Sequence, residues 1–311
     1  MIDSKLLELL PKSVSIIKNA LMSNYSSFKV GGICPLVIEC NDQTDLSFVL
    51  KFLIKNKIKN KVIGEGTNLL VSDNGIDCVI VKFCFPRTDR IKIKQNYITV
   101  PAQLLLDNLV VKAVDNNLGD ITFLSGIPGT VGGAIAGNAG AFGEQIGDIL
   151  VDTEVIDVNG NIKKKTKKNH NFSYRSSYFK NSLDIILNAS FKLKKLNQNE
   201  MIKKRDEILS LRFQKHPDWK KEPCAGSIFR NIEPSSAANR RQAAGWFLEQ
   251  AGVKDFKEGK AFVYKKHANI IIAESGSTAT DVYKLSERMK EAVLRKFNIE
   301  LIREIQLLGS F

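Results

Sequence analysis

The chain has 311 residues, 43% of them hydrophobic, and 46 Lys and Arg against 33 Asp and Glu give a formal net charge of +13. That length and apolar content define a globular chain of two domains or one large elaborated one. Five scattered cysteines with no CxxC pair point to reduced thiols in a cytoplasm, and three histidines with no Cys or His at ligand spacing argue against a dedicated metal site.

The opening MIDSKLLELLPKS has early acidic residues and no long apolar run, so neither a signal nor a transit peptide is expected. Residues 44–57 predict an amphipathic helix, 61–75 a strand entering a Gly-rich turn, 79–83 and 98–100 strands, and 104–117 a second helix. A strand is expected at 151–158, and after ILNASFKL (186–193) a polar boundary at 194–200 and a helix near 201–214. Beyond it, 237–252 reads as a helix with Gly252 as its C-cap, and 268–273 as a strand. A helix at 280–297 sets Val282, Leu285, Met289 and Val293 on one face, and 299–309 has a strand pattern. The alternation describes an α+β or α/β body.

No charged residue occurs between Asp120 and Glu144, a stretch that contains GIPGTVGGAIAGNAGAFG at 126–143. A membrane span is one reading, with Gly129, Gly133 and Gly137 as a small-residue face, but the glycines, Pro128 and Asn138 oppose a continuous apolar helix. A flexible linker is another, against which Ile127, Val131, Ile135 and Phe142 are spaced as if to pack. The third is bare backbone laid against a ligand, where missing Cβ atoms let N–H groups approach a diphosphate. A second turn, GEGTN at 64–68, has neither the Rossmann nor the Walker spacing and alone is an ordinary strand-to-turn junction. Together the two turns suggest one extended ligand held from two sides, with Thr67 and Asn68 able to hydrogen-bond it.

The net charge raises nucleic acid as a partner, and KKKTKK at 163–168 is the densest basic run. It follows the hairpin signature VNG at 158–160, so solvated lysines on a turn are the simpler reading, and no aromatic-interleaved stripe accompanies it. Further along stand SYRSSYF (173–179), QKHPD (214–218) and CAGSIFRN (224–231). Ser227 follows Gly226 without a GxSxG elbow or an evident base, which suits proton delivery better than nucleophilic attack and calls for an anion-stabilising neighbour. Arg175 could supply that charge or be a surface pairing residue.

NYSSFKVGG (24–32), GEGTNLLVSDNG (64–75), the 126–143 segment, YRSSYFK (174–180), AGSIFRN (225–231), AGWFLEQAG (244–252), KHANIIIA (266–273) and REIQLLG (303–309) together resemble the UDP-N-acetylenolpyruvoylglucosamine reductases, in that family's order and over nearly the whole chain. The resemblance implies an α+β protein. Residues 1–196 would form an FAD-binding region of the vanillyl-alcohol-oxidase type in two subdomains split near 85, residues 200–298 a substrate-binding domain, and 299–311 a terminal strand carrying a catalytic Glu. It implies a cytoplasmic monomer making UDP-N-acetylmuramate for peptidoglycan, with FAD as cofactor, NADPH as co-substrate, and no metal, nucleic-acid partner or membrane insertion. In such an enzyme NADPH reduces FAD, flavin N5 sends hydride to the vinyl carbon of the enolpyruvyl substrate, and a serine protonates the adjacent carbon.

Carried over residue by residue, the resemblance puts catalysis on Arg175, Ser227 and Glu304, although Glu304 by itself reads as an edge-strand carboxylate. FAD contacts fall on Gly64, Gly66, Thr67, Asn68, Gly126, Ile127, Pro128, Gly129, Thr130, Gly133, Asn138 and Ala139. Substrate contacts fall on Lys215, Arg230 and Asn231. Thr67 replaces the family's usual serine, Ile232 a proline and Arg230 a lysine, which touches the local substrate contacts more than Ser227. Only 40 positions separate Arg175 from Lys215, too few for the tyrosine-bearing loop of one subclass, so the loopless form with an open UDP site is expected. Another FAD-dependent oxidase or dehydrogenase of the same flavin fold is the alternative, but it has no reason to retain AGSIFRN and REIQLLG together.

Overall fold

A computed structural model describes residues 4–84, 90–233 and 241–311. The chain forms two compact units and passes between them repeatedly: one comprises Met1–Lys18, Pro35–Glu65 and Cys78–Arg212, the other Asn19–Cys34, Gly66–Asp77 and Phe213–Phe311.

The first unit holds two sheets. One has the strand order Ser15–Leu21, Ile33–Cys40, Val79–Phe83, Asn60–Ile63, with the last three strands parallel. Asp42 starts helix Gln43–Lys55 by accepting from the Asp45 N–H at 2.8 Å. Leu46, Val49, Leu50 and Leu53 then share a core with Leu36, Ile38, Val79 and Val81, an apolar stripe at helical spacing meeting the sheet. The other sheet is antiparallel, ordered Ile162–Thr166, Leu150–Ile156, Ile185–Lys192, Tyr97–Pro101, Lys92–Lys94. Its core includes Ile98, Val100, Val155, Ala189 and Phe191, with Leu109, Val110 and Ala113 from helix Leu106–Val114. The basic run lies on strand Ile162–Thr166 and the turn after it. Lys163, Lys164 and Lys165 pair with Asp157, Asp152 and Asp184, so most of that charge is locally matched.

In the second unit, an antiparallel sheet of Lys257–Glu258, Ala261–Val263 and Ile271–Ala273 shares a core with helix Ala279–Phe297. Val282, Leu285, Met289 and Val293 are all fully buried, as their spacing predicts. At about 1.5–3 kcal/mol each, they outweigh any intrinsic helix preference. Thr278 and Asp281 form a capping box, and Asp73 accepts from the N–H groups of Ala279 and Thr280, both at 2.8 Å. Strand Leu69–Val71 pairs in parallel with Gln306–Leu308, near the chain end.

Three sequence expectations change. Residues 241–243 precede the helix, which runs Ala244–Gln250; Gln242 instead bridges to Ile232, and the predicted start at 237–240 lies outside the described residues. The strand expected at 268–273 shortens to Ile271–Ala273, because the Asn269 side chain bonds across to another segment. The pattern at 299–309 becomes strand only at Gln306–Leu308; before it, a single isolated bridge from Arg303 to Phe229 stands in place of a continuous ladder. The proposed subdomain split near 85 also falls outside the described residues. Among the described residues no helix is long and apolar enough to cross a membrane, and the glycine segment contains only the six-residue helix Val131–Ala136.

Candidate functional site

In the first unit the two glycine turns meet. A Cβ on Gly64 would lie 2.7 Å from Thr130 Oγ1, so this approach requires glycine. Thr130 in turn caps helix Val131–Ala136, its hydroxyl accepting from the Gly133 N–H at 3.2 Å. Gly126 has φ +69 and donates to Asp107 Oδ1 at 2.9 Å, and the Gly129 carbonyl accepts from Leu106 N–H at 2.9 Å. Much of the segment's backbone is thus spent on the fold: Ile127, Asn138 and Ala139 also donate to main-chain carbonyls. The exposed Pro128 has no N–H to give. Asn138 is 2% exposed, with its Nδ2 donating to Gln145 Oε1 and the Ser173 carbonyl and its Oδ1 accepting from Gly147 N–H.

Asp107 anchors this region from the other side. Arg205 grips it with two hydrogen bonds of 2.8 and 2.7 Å. Burial raises the Asp107 carboxyl, but the Arg205 bonds, the Gly126 N–H and the Arg205 and Arg212 charges together hold it below its ordinary value. Arg175 sits in the tight turn closed by paired bonds between Ser173 and Ser176, at φ +52, and reaches Gly140 O with Nη1 at 3.4 Å. A left-handed arginine is a strained position, and such strain gathers where a side chain must be aimed.

The second unit collects the other predicted residues around one backbone junction. Ser227 bridges Ile270, and Ile228 N–H donates to Asn269 O at 2.9 Å. Glu304 N–H donates to Ile228 O at 2.7 Å, and Arg230 N–H to Ile302 O at 2.9 Å. Asn68 Nδ2 donates to the Glu304 carbonyl at 3.3 Å, and Gln306 N–H returns a bond to Asn68 O at 2.9 Å. Ser227, Glu304, Arg230 and Asn68 are therefore held by one hydrogen-bond network. Gly66, at φ +64, packs so closely on Tyr25 that a Cβ would meet its carbonyl oxygen at 2.0 Å; half-buried Thr67 follows it. Arg303 fixes the strand beside Glu304 by bonding Ser286 Oγ and pairing with Glu287.

Two substrate candidates stand further out. Asn231 Oδ1 accepts from Ala244 N–H at 3.2 Å, at the start of helix Ala244–Gln250, so part of this side chain serves the fold. Lys215 is exposed at the end of helix Gln198–Lys215. Burial lowers the His267 imidazole, and the nearby Lys215 charge adds to the shift.

Sequence reasoning missed Asn269, which is 2% exposed and bonds both main-chain groups of Phe229: Oδ1 accepts from its N–H at 2.9 Å and Nδ2 donates to its carbonyl at 2.8 Å. Within ANIIIA it looks like a strand residue, and no local pattern marks a partner 40 positions away.

The two glycine turns that meet in the first unit lie inside residues 34–165, the stretch matched by a family model for FAD binding domains, which sets the chain in the class of FAD-binding flavoproteins. A family model described as an FAD binding domain matches residues 34–165, and one described as the UDP-N-acetylenolpyruvoylglucosamine reductase C-terminal domain matches 217–308. Reductases of that name from Carboxydothermus hydrogenoformans and Clostridium novyi are 35% and 33% identical to the chain; the matches cover 99% of this chain in both cases, and 99% and 97% of those proteins. The crystal structure of UDP-N-acetylenolpyruvylglucosamine reductase from Thermus caldophilus superposes with a TM-score of 0.77 at 25% identity, over 95% of this chain and 99% of that one. The chain belongs to the UDP-N-acetylenolpyruvoylglucosamine reductase family.

Proposed function

We propose that the protein reduces UDP-N-acetylglucosamine enolpyruvate to UDP-N-acetylmuramate with FAD as cofactor and NADPH as reductant, in peptidoglycan precursor synthesis, and that it works as a cytoplasmic monomer. The observation that carries this reading is the close packing of Gly64 on Thr130, which brings the two glycine turns together and which any side chain at residue 64 would disturb. FAD held by these residues would supply the hydride for the reduction, with NADPH as the source of its electrons.

In this reading the cofactor contacts are Gly64, Gly66, Thr67, Asn68, Gly126, Ile127, Pro128, Gly129, Thr130, Gly133, Asn138 and Ala139. Because so many amides of the glycine segment bond the protein itself, the Gly129 and Thr130 N–H groups are its proposed donors to the diphosphate, while Asn138 shapes the turn. Ser227 donates its hydroxyl proton to the carbon next to the carboxylate. A hydroxyl is a weak acid, so it serves only because that carbon is strongly basic; its removal should cost about 10²–10⁴-fold. Arg175 balances the developing charge, with Glu304 flanking the same group. Lys215, Arg230 and Asn231 would hold the substrate's diphosphate and carboxylate.

The loopless form is supported by the spacing of elements after Arg175, where the turn Tyr178–Lys180, strand Ile185–Lys192 and helix Gln198–Lys215 follow one another closely. The test is an anaerobic titration: the yellow protein should bleach with NADPH and regain its colour on adding UDP-N-acetylglucosamine enolpyruvate. A flavoprotein reoxidised by oxygen but never by that substrate contradicts the proposal.

A further inference from the structure

Arg175 keeps a backbone conformation that arginine adopts only under constraint. Ser173 and Ser176 close its turn with two main-chain bonds of 3.1 Å, and Arg175 between them is left-handed at φ +52. A side chain at such a position is strained, and relaxation of the turn would swing the guanidinium to a new direction unless groups outside the turn oppose it.

Three side chains supply that opposition. Asn138, left-handed itself at φ +43, donates from Nδ2 to the Ser173 carbonyl at 2.8 Å while its Oδ1 accepts from Gly147 N–H at 3.1 Å. Ser177 is 5% exposed, and its hydroxyl donates at 2.9 Å to the carbonyl of Ala136, the last residue of helix Val131–Ala136, where carbonyls run out of helical partners. The half-buried Lys180 ends the short turn Tyr178–Lys180 and reaches back, donating from Nζ to the Arg175 carbonyl itself at 3.2 Å. The first two bonds tie the turn to the glycine segment, and the third acts on the strained residue. Any change of conformation at Arg175 turns that carbonyl, so a charged donor bonded to it resists the change, and charge-assisted bonds are the stronger kind. Arg175 Nη1 also lies 3.4 Å from Gly140 O, so the guanidinium is referred to the same glycine segment as its backbone.

We propose that Lys180 is a positioning residue. Through the Arg175 carbonyl it keeps the Arg175 guanidinium aimed at the charge that develops on the substrate, and Ser177 braces the same turn from the glycine segment. The inference rests on the role proposed above for Arg175.

The experiment follows the two half-reactions in holoenzyme carrying Lys180→Met, Lys180→Arg, Ser177→Ala, Arg175→Gln, or Lys180→Met and Arg175→Gln together. Lys180→Met should retain FAD and bleach with NADPH at the wild-type rate, while reoxidation by saturating UDP-N-acetylglucosamine enolpyruvate slows about 10–10²-fold, the cost of displacing a catalytic group by about 1 Å. Lys180→Arg keeps a cationic donor and should recover part of that loss. In the double variant Lys180→Met should add nothing to the loss from Arg175→Gln, because a residue that acts only through Arg175 has nothing left to position. A merely structural lysine would instead slow both half-reactions or shed FAD, and its effect would multiply with that of Arg175→Gln. Ser177→Ala should reproduce the pattern and serves should Lys180→Met fail to fold. Losses that multiply, or reoxidation at the wild-type rate in Lys180→Met, overturn the inference and leave the role of Arg175 standing. Reoxidation at the wild-type rate in Arg175→Gln removes that role and the inference with it.

Discussion

Replacing Asn269 with Ala should loosen the segment that carries Ser227 more than any nearby apolar substitution. The carboxamide mimics a peptide group, satisfying both the N–H and the carbonyl of Phe229, a residue 1% exposed. Truncation strands two buried polar groups at about 1–3 kcal/mol each, and water entering the small void trims the sum to about 2–4 kcal/mol. Against a typical total of about 5–15 kcal/mol that is a large share. Asn269→Asp keeps an acceptor for the N–H but sets a carboxylate oxygen against the Phe229 carbonyl, so it should be at least as harmful. The assay is guanidinium unfolding followed by tryptophan fluorescence, which suits the question because both tryptophans, Trp219 and Trp246, lie in the same compact unit. Bleaching by NADPH should survive while reoxidation by substrate slows, since only the Ser227 side is disturbed. A shift worth less than about 0.5 kcal/mol, the range of ordinary surface changes, would refute the reasoning.

Gly64→Ala should cut FAD retention sharply, measured as flavin absorbance per protein after gel filtration, and Gly64→Ala with Thr130→Ala should recover part of it by removing the 2.7 Å clash; equal retention in both would count against the role of this packing. Asp107 is held below its ordinary value, so its stabilisation is complete above the unfolded pKa of about 4 and is lost as pH falls through the folded value. FAD release on acidification should follow that window in the wild type, and Asp107→Asn should shed cofactor already at neutral pH; an unchanged acid profile in the variant would exclude Asp107 as the group responsible. Because Lys163, Lys164 and Lys165 are matched by aspartates, gel shifts with RNA or DNA should show no binding at physiological salt, and tight salt-sensitive binding would overturn the solvated-lysine reading.

Where pattern is local, the sequence was readable. The helix Ala279–Phe297 announces itself through four apolar residues at helical spacing, and the hairpin before the basic run through Gly160 at φ +77. The meaning of the 126–143 glycines came from motif resemblance, since spacing alone left a span, a linker and a ligand surface all open. What stayed hidden depends on distant partners. Leu69–Val71 pairs with Gln306–Leu308 across most of the chain, and neither run names the other. Arg212 is one of several cations on a helix of mixed charge, and only the fold reveals that its Nε is buried. The pattern at 299–309 reads as one strand, yet the segment spends its first residues bracing Ile228 and Arg230.

The most direct test of the central claim follows the two half-reactions separately in Ser227→Ala. The account predicts that NADPH bleaches the variant's flavin at the wild-type rate, while UDP-N-acetylglucosamine enolpyruvate restores the colour at least about 10²-fold more slowly. Restoration at the wild-type rate would contradict the assignment of the proton to Ser227 and move the search to another donor.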